Sequence, residues 1–173
     1  LAHGLPVISF EPNQVCEPYF REACALNGFT PKWNAIAVGA TSGTIDLLYP
    51  EKETWSGTTI KSRESVLEGL ENLIRVSVPM HTLDSFADQF AEKRVFIKID
   101  TEGAELEVLR GAQTVLTRIK PLIIFESLPG ETRATLFDFL MGFGYTLTDR
   151  SWRPGAAATP LTREQYVTSD DND

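Results

Sequence analysis

The stretch Val95-Phe96-Ile97-Lys98-Ile99-Asp100-Thr101-Glu102-Gly103-Ala104-Glu105 decides the fold. Its first half is close to continuously apolar, which is how a strand reads in a parallel sheet covered on both faces. Its second half is a strand-to-helix turn, in which Asp100 or Thr101 can cap the helix and the following acids complement the helix dipole. The helix places Ala104, Val108, Leu109, Ala112, Val115, Leu116 and Ile119 on one face and ends at Lys120-Pro121. A second apolar strand, Leu122-Ile123-Ile124-Phe125, follows directly and ends on Glu126.

The same alternation extends outward in both directions. Upstream, Val7-Ile8-Ser9-Phe10 reads as a buried strand stopped by Glu11-Pro12-Asn13, and residues 15–26 read as a helix closed by Asn27-Gly28. Residues 32–38 and 44–49 are predicted strands. From 50 to 72 the pattern gives way to a polar loop around Trp55, with a short helix near 66–70; loops of this length in compact domains are usually functional. Residues 74–78 are a strand, and Thr82 caps a helix running to Phe90. Downstream, residues 132–143 form a helix, 145–148 a short strand, and 151–173 an irregular segment. The strand–helix alternation predicts an α/β fold with a largely parallel sheet.

Composition narrows the classes of function. The 173 residues, 42% apolar and 23% charged, suit one globular domain. With 16 basic against 24 acidic side chains the net charge is −8, opposite to what a phosphate-binding surface needs, so nucleic acid is disfavoured as a partner. The acidic end Ser169-Asp170-Asp171-Asn172-Asp173 lacks the glycine geometry of a calcium loop and reads as a solvated tail. Cys16 and Cys24 are eight helical residues apart, about 12 Å, too far for a disulfide, so both are expected reduced, as in the cytoplasm. No apolar run approaches the ~20 residues of a membrane span. Zinc spacings and the GxSxG elbow of hydrolases do not occur.

Ligands on such sheets bind at the carboxyl ends of strands, and acids stand at three of them: Glu11, Asp100 and Glu126. Glu11 is either a ribose-binding carboxylate or an exposed turn acid before Pro12. Asp100 and Glu102 are either helix-capping acids or cleft residues serving as a base or a Mg²⁺ ligand. Glu126, if partly buried, acquires a raised pKa suited to general base work; otherwise it is a solvated strand end. His81, without a partner motif, reads as a surface or packed residue.

Taken together, these segments resemble the FkbM-type methyltransferases. The resemblance rests on Phe10-Glu11-Pro12-Asn13, Asn34-Ala35-Ile36-Ala37-Val38-Gly39, Thr82-Leu83-Asp84-Ser85, the segment 97–105, Val108-Leu109-Arg110-Gly111-Ala112 and Pro121-Leu122-Ile123-Ile124-Phe125-Glu126, in that order. It implies a Rossmann-like fold, a mostly parallel central sheet flanked by helices, forming one methyltransferase domain over residues 1–173. It implies S-adenosylmethionine as cofactor and O-methylation of a small molecule or sugar. Glu11 would hold the cofactor ribose, with Pro12 and Asn13 beside it. Asn34 and Ala35 would lie by the adenine, Asp100 at the methyl-transfer cleft, and Glu102 and Glu126 among the cleft-lining acids. The acids act as base or hold a divalent ion such as Mg²⁺. In such enzymes a first strand and glycine-rich turn precede the Phe10 strand. Residues 1–6 are too few to supply them, so the domain is expected to be incomplete at its start. The alternative this raises is a methyltransferase-like binding module without catalysis. A nicotinamide oxidoreductase shares the ribose-binding acid but leaves the 99–105 segment without a role.

Overall fold

A computed structural model describes residues 5–30, 32–51, 72–127, 130, 132–149 and 158–169. His3, Trp152 and the expected loop around Trp55 with its short helix lie outside the described residues.

Strand β1 (Ser9–Phe10) pairs in parallel with β2 (Trp33–Asn34). Between them run a 3₁₀ turn, Gln14–Cys16, and helix α1 (Glu17–Leu26). Asn13 opens this helical run by accepting a hydrogen bond from Val15 N at 3.2 Å. Pro18 sits in the first turn, where its missing N–H has no helical partner to lose. Asn27 and Gly28 close α1 as expected, Gly28 at a φ of 68° that favours glycine. Cys16 and Cys24 are both free thiols.

Residues 32–38 are predicted as one strand; the structure has two. Ile36 N donates back to the Asn34 carbonyl at 2.9 Å. This three-residue turn ends β2 and redirects the chain, so β3 (Ala37–Val38) pairs with β5 (Leu73–His81) instead. Strand β4 (Gly43–Pro50) runs antiparallel to β5, from Gly43 opposite Met80 to Pro50 opposite Leu73. This three-stranded sheet, in the order β3-β5-β4, is therefore mixed, and among the described residues it is separate from the β1-β2 pair. Thr82 caps the next segment, accepting from Ser85 N at 3.3 Å. That segment is a 3₁₀ turn, Leu83–Phe86, leading into the single turn α2 (Ala87–Phe90).

Strand β6 (Phe96–Ile99) and β7 (Leu122–Phe125) pair in parallel, Phe96 opposite Leu122 and Ile99 opposite Phe125. The helix between them is not one piece. Helix α3 (Glu105–Arg110) ends at Gly111, and a π-helical turn, Val115–Ile119, follows. A Cβ at Gly111 would lie 2.0 Å from the Gly39 carbonyl oxygen, so backbone rests directly on backbone here. The Gly111 carbonyl accepts from Asp84 N at 2.9 Å. The Asp84 carboxylate in turn accepts from Thr114 N and Val115 N, both at 2.9 Å, capping the second piece from a distant segment. The predicted apolar face survives the break: Val108, Leu109, Ala112, Val115 and Leu116 are buried. With Leu136 and Leu140 of helix α4 (Thr132–Gly142) they form the main core.

The tail departs from its predicted irregularity. Strands β8 (Thr148–Asp149) and β9 (Thr159–Pro160) pair antiparallel, and helix α5 (Arg163–Thr168) follows. A reciprocal cap opens α5: the Thr162 hydroxyl accepts from Gln165 N at 3.2 Å, and Gln165 Oε1 accepts from Thr162 N at 2.8 Å. Arg163 reaches α4 through both oxygens of Asp138, at 2.8 and 3.0 Å.

One prediction about β6 needs correcting. It is not covered on both faces, since Phe96 is 56% exposed. Among the described residues β1 and β6 are each paired on one edge alone, and residues of both strands line a groove.

Candidate functional site

The groove has a volume of about 1320 Å³. One wall is built from residues 5–13 with Cys16, Phe20 and Trp33, the other from residues 93–102 with Ala104. Phe20 and Trp33 pack with their rings tilted, 5.0 Å between ring centres. Glu11 follows β1 and Asp100 follows β6, so both acids stand at the carboxyl ends of their strands, where parallel sheets bind ligands.

Glu11 is fixed at both ends. Its N–H donates to the Asn34 carbonyl at 3.1 Å, and its Oε1 accepts from Asn13 N at 2.7 Å. Burial raises its pKa, the Asn13 N–H lowers it, and burial wins. Pro12 and the buried Asn13 also line the groove. Asn34 and Ala35 do not. The Asn34 amide donates to the Ser9 carbonyl at 3.1 Å, which ties β2 to β1 behind the wall.

The 100–105 turn is organised by Glu105, which in the sequence reads as one acid of a motif. Glu105 is 5% exposed. Its Oε1 accepts from Thr101 N at 3.1 Å, Thr101 Oγ1 at 2.9 Å and Gly103 N at 3.1 Å. Those amides stand at a helix start, where N–H groups lack backbone partners. The available signal was an acid on the first helical position after a Thr-x-Gly turn. Glu102 and Gly103 both take positive φ, 55° and 102°, the bend that lets the chain fold back over Glu105.

Asp100 and Glu102 are exposed in this turn, and Glu126 joins them. Because β6 and β7 are neighbours, Glu126 N donates to the Ile99 carbonyl at 3.0 Å, which seats Glu126 beside Asp100. One carboxylate oxygen from each of Asp100, Glu102 and Glu126 lies within 4.8 Å of the other two. The Glu126 pKa is raised, first by burial, then by the charges of Glu102, Asp100 and Glu105, and by a hydrogen bond shared with Asp100. Its Oε2 is buried without a hydrogen-bond partner among the described residues. Lys98 Nζ pairs with Asp100 at 2.5 Å and offsets part of this charge. Glu126 does not line the groove; its link to it is Asp100. His81 packs its ring edge-on to Phe86 at 6.3 Å.

A partly parallel α/β sheet with acids grouped at its strand ends is a scaffold for binding a small ligand. Comparison with known proteins narrows the class. The Methyltransferase FkbM domain matches residues 3–147, and the chain belongs to that family. Methyltransferase sdnD of Sordaria araneosa is 26% identical over 187 aligned positions, covering 92% of this chain and 72% of that protein. No solved structure gives a significant match. The expected family is thus borne out. Helix α5 lies beyond the matched residues. No helix among the described residues is long and apolar enough to cross a membrane.

Proposed function

We propose that the chain is an S-adenosylmethionine-dependent methyltransferase acting on a hydroxyl oxygen of a small molecule or sugar. The observation that carries this reading is that Glu11 and Asp100 line one groove in an FkbM-family domain. The residues suit the cofactor: a half-buried carboxylate for the ribose hydroxyls, and acids whose charge favours a sulfonium. When bound, S-adenosylmethionine supplies an activated methyl group. Glu11, oriented by the Asn13 N–H, accepts the ribose hydroxyls, and Pro12 and Asn13 shape the wall beside it. Asn34 and Ala35 bound this end, Asn34 as a tie between strands rather than a groove contact. Asp100 and Glu102 hold the methyl-transfer end. Glu126 takes the hydroxyl proton by way of Asp100, the groove residue beside it, its raised pKa bringing its basicity closer to neutral pH.

The groove exceeds the ~300–1,000 Å³ of a typical ligand pocket. Both β1 and β6 have an edge without a strand partner among the described residues. These two facts support a further parallel strand between them, completing a Rossmann-like sheet, with the cofactor at its carboxyl end. Both thiols being free supports a reducing, cytoplasmic setting.

The test is calorimetry with S-adenosylhomocysteine on the full-length protein. Binding is expected. Glu11→Ala should weaken it about 10- to 100-fold, the worth of one hydrogen bond to a charged group (~1.5–3 kcal/mol). Absence of binding to the unaltered full-length protein refutes the proposal.

A further inference from the structure

Helix α5 lies outside the family match, yet its one buried side chain touches the residue next to Glu126. The Tyr166 hydroxyl and the Ser127 hydroxyl are 2.6 Å apart in the core. Arg133 on α4, 2% exposed, completes the junction. Its Nη2 donates to the Ser127 carbonyl, and its Nη1 donates to the carbonyls of Ser169 and Tyr166. Its guanidinium also lies over the Tyr166 ring, 5.6 Å from the centre. Phe137 packs against the other side of the junction, 5.8 Å from Tyr166 between ring centres.

We infer that Tyr166 and Arg133 are positioning residues: through Ser127 they fix the backbone on which Glu126 stands. The inference rests on the proposed role of Glu126. On its N-terminal side, Glu126 is held by its own N–H on the Ile99 carbonyl. On its C-terminal side, Ser127 is held at its carbonyl by Arg133 and at its hydroxyl by Tyr166. Both flanks of Glu126 are thus pinned, so the carboxyl keeps only its side-chain rotors. That pinning favours the buried position of Oε2, which has no hydrogen-bond partner among the described residues, in a carboxyl grouped with Asp100 and Glu102. Pinning removes backbone displacement as a way for the carboxyl to move away from its acidic neighbours, which is how such a group relaxes when its support is loose. The tail of the chain thereby reaches the chemistry without touching the groove.

The test uses changes that remove a hydroxyl and leave the fold. In full-length protein carrying ¹³C-labelled glutamate, the Glu126 carboxyl is followed by NMR through a pH titration, its signal assigned with Glu126→Gln. Tyr166→Phe and Ser127→Ala should each move the Glu126 midpoint down toward that of an exposed glutamate. The double variant should move it no further than either alone, because both break one contact. Affinity for S-adenosylhomocysteine should stay within about twofold, under ~0.5 kcal/mol. Arg133→Lys, which keeps the charge and loses the fork, should move the midpoint the same way. If these variants melt earlier but leave the Glu126 midpoint in place, α5 is merely structural and the inference falls. Failure of the unaltered protein to bind S-adenosylhomocysteine would refute the methyltransferase reading alone, since the titration reads the junction directly.

Discussion

Replacing Gly111 with alanine isolates one contact. The backbone there has φ −83° and ψ 8°, which alanine adopts without strain. On that ground alone the change should stabilise by about 0.4–1 kcal/mol, through a less flexible unfolded chain. The folded state opposes it. The new Cβ would meet the Gly39 carbonyl oxygen at 2.0 Å, where ordinary contact begins near 3.4 Å, and the Gly39 carbonyl carbon at 3.0 Å. Both partners are backbone, so relief demands a separation of about 1.4 Å between α3 and the segment after β3. Overpacking of this kind costs about 1–3 kcal/mol. Shifting Gly111 also strains its bond from Asp84 N, worth about 1 kcal/mol. The net expectation is a loss of about 2 kcal/mol, or a melting temperature lower by roughly 4–8 °C in a domain of this size. Gly142 provides the control. It lies within α4, and a Cβ there meets nothing within 4 Å, so Gly142→Ala should stabilise by up to about 1 kcal/mol. Thermal unfolding followed by circular dichroism reads both. A Gly111→Ala protein that melts at or above the parent temperature would refute the close approach of Gly111 to the Gly39 backbone.

Two further outcomes are expected. Glu105→Ala removes the acceptor of three hydrogen bonds and should cost about 3 kcal/mol in urea unfolding, with faster amide exchange at Thr101 and Gly103; unchanged exchange there would show that the turn holds itself. Glu126 has a folded pKa above its unfolded one, so the native state binds the extra proton and stability falls as pH rises from the ordinary glutamate value, ~4.3. Glu126→Gln should therefore gain stability relative to the parent as pH is raised from that value through the Glu126 folded midpoint, and a pH-independent difference would sink this.

The elements legible in the sequence are those whose residues carry their own reason. The apolar runs at 96–99 and 122–125 are strands whatever surrounds them, and Asn27-Gly28 ends a helix by local geometry. What escaped depends on partners far along the chain. The apolar face over 104–119 is real, but it cannot reveal that Gly39 lies against Gly111, so one helix was expected where two pieces exist. The strand over 32–38 breaks because Ile36 bonds back to Asn34, and nothing in the Asn34-Ala35-Ile36 sequence forbids continuation. Helix α5 was missed although Thr162-x-x-Gln165 is a capping signal, because the apolar content behind it is low. The same division holds for the candidate site. Acids at three strand ends could be read off, whereas the neighbouring of β6 and β7, which gathers two of those ends with Glu102, is a property of topology. Glu105 was quoted among the acids, but its inward orientation is set by the bend at Glu102 and Gly103.

The antiparallel pair β4 and β5 has a further consequence. Its ladder runs on past Pro50 and Leu73, with Glu51 N donating to the Asn72 carbonyl at 3.1 Å. The chain between 51 and 72 thus leaves and re-enters at adjacent points on a closed ladder. Closing such a segment becomes harder only logarithmically with its length, about 0.6 kcal/mol for each doubling. The pair is a socket: insertions, deletions or wholesale exchange of that segment leave the register of the strands, and so the placement of the acids, where they are.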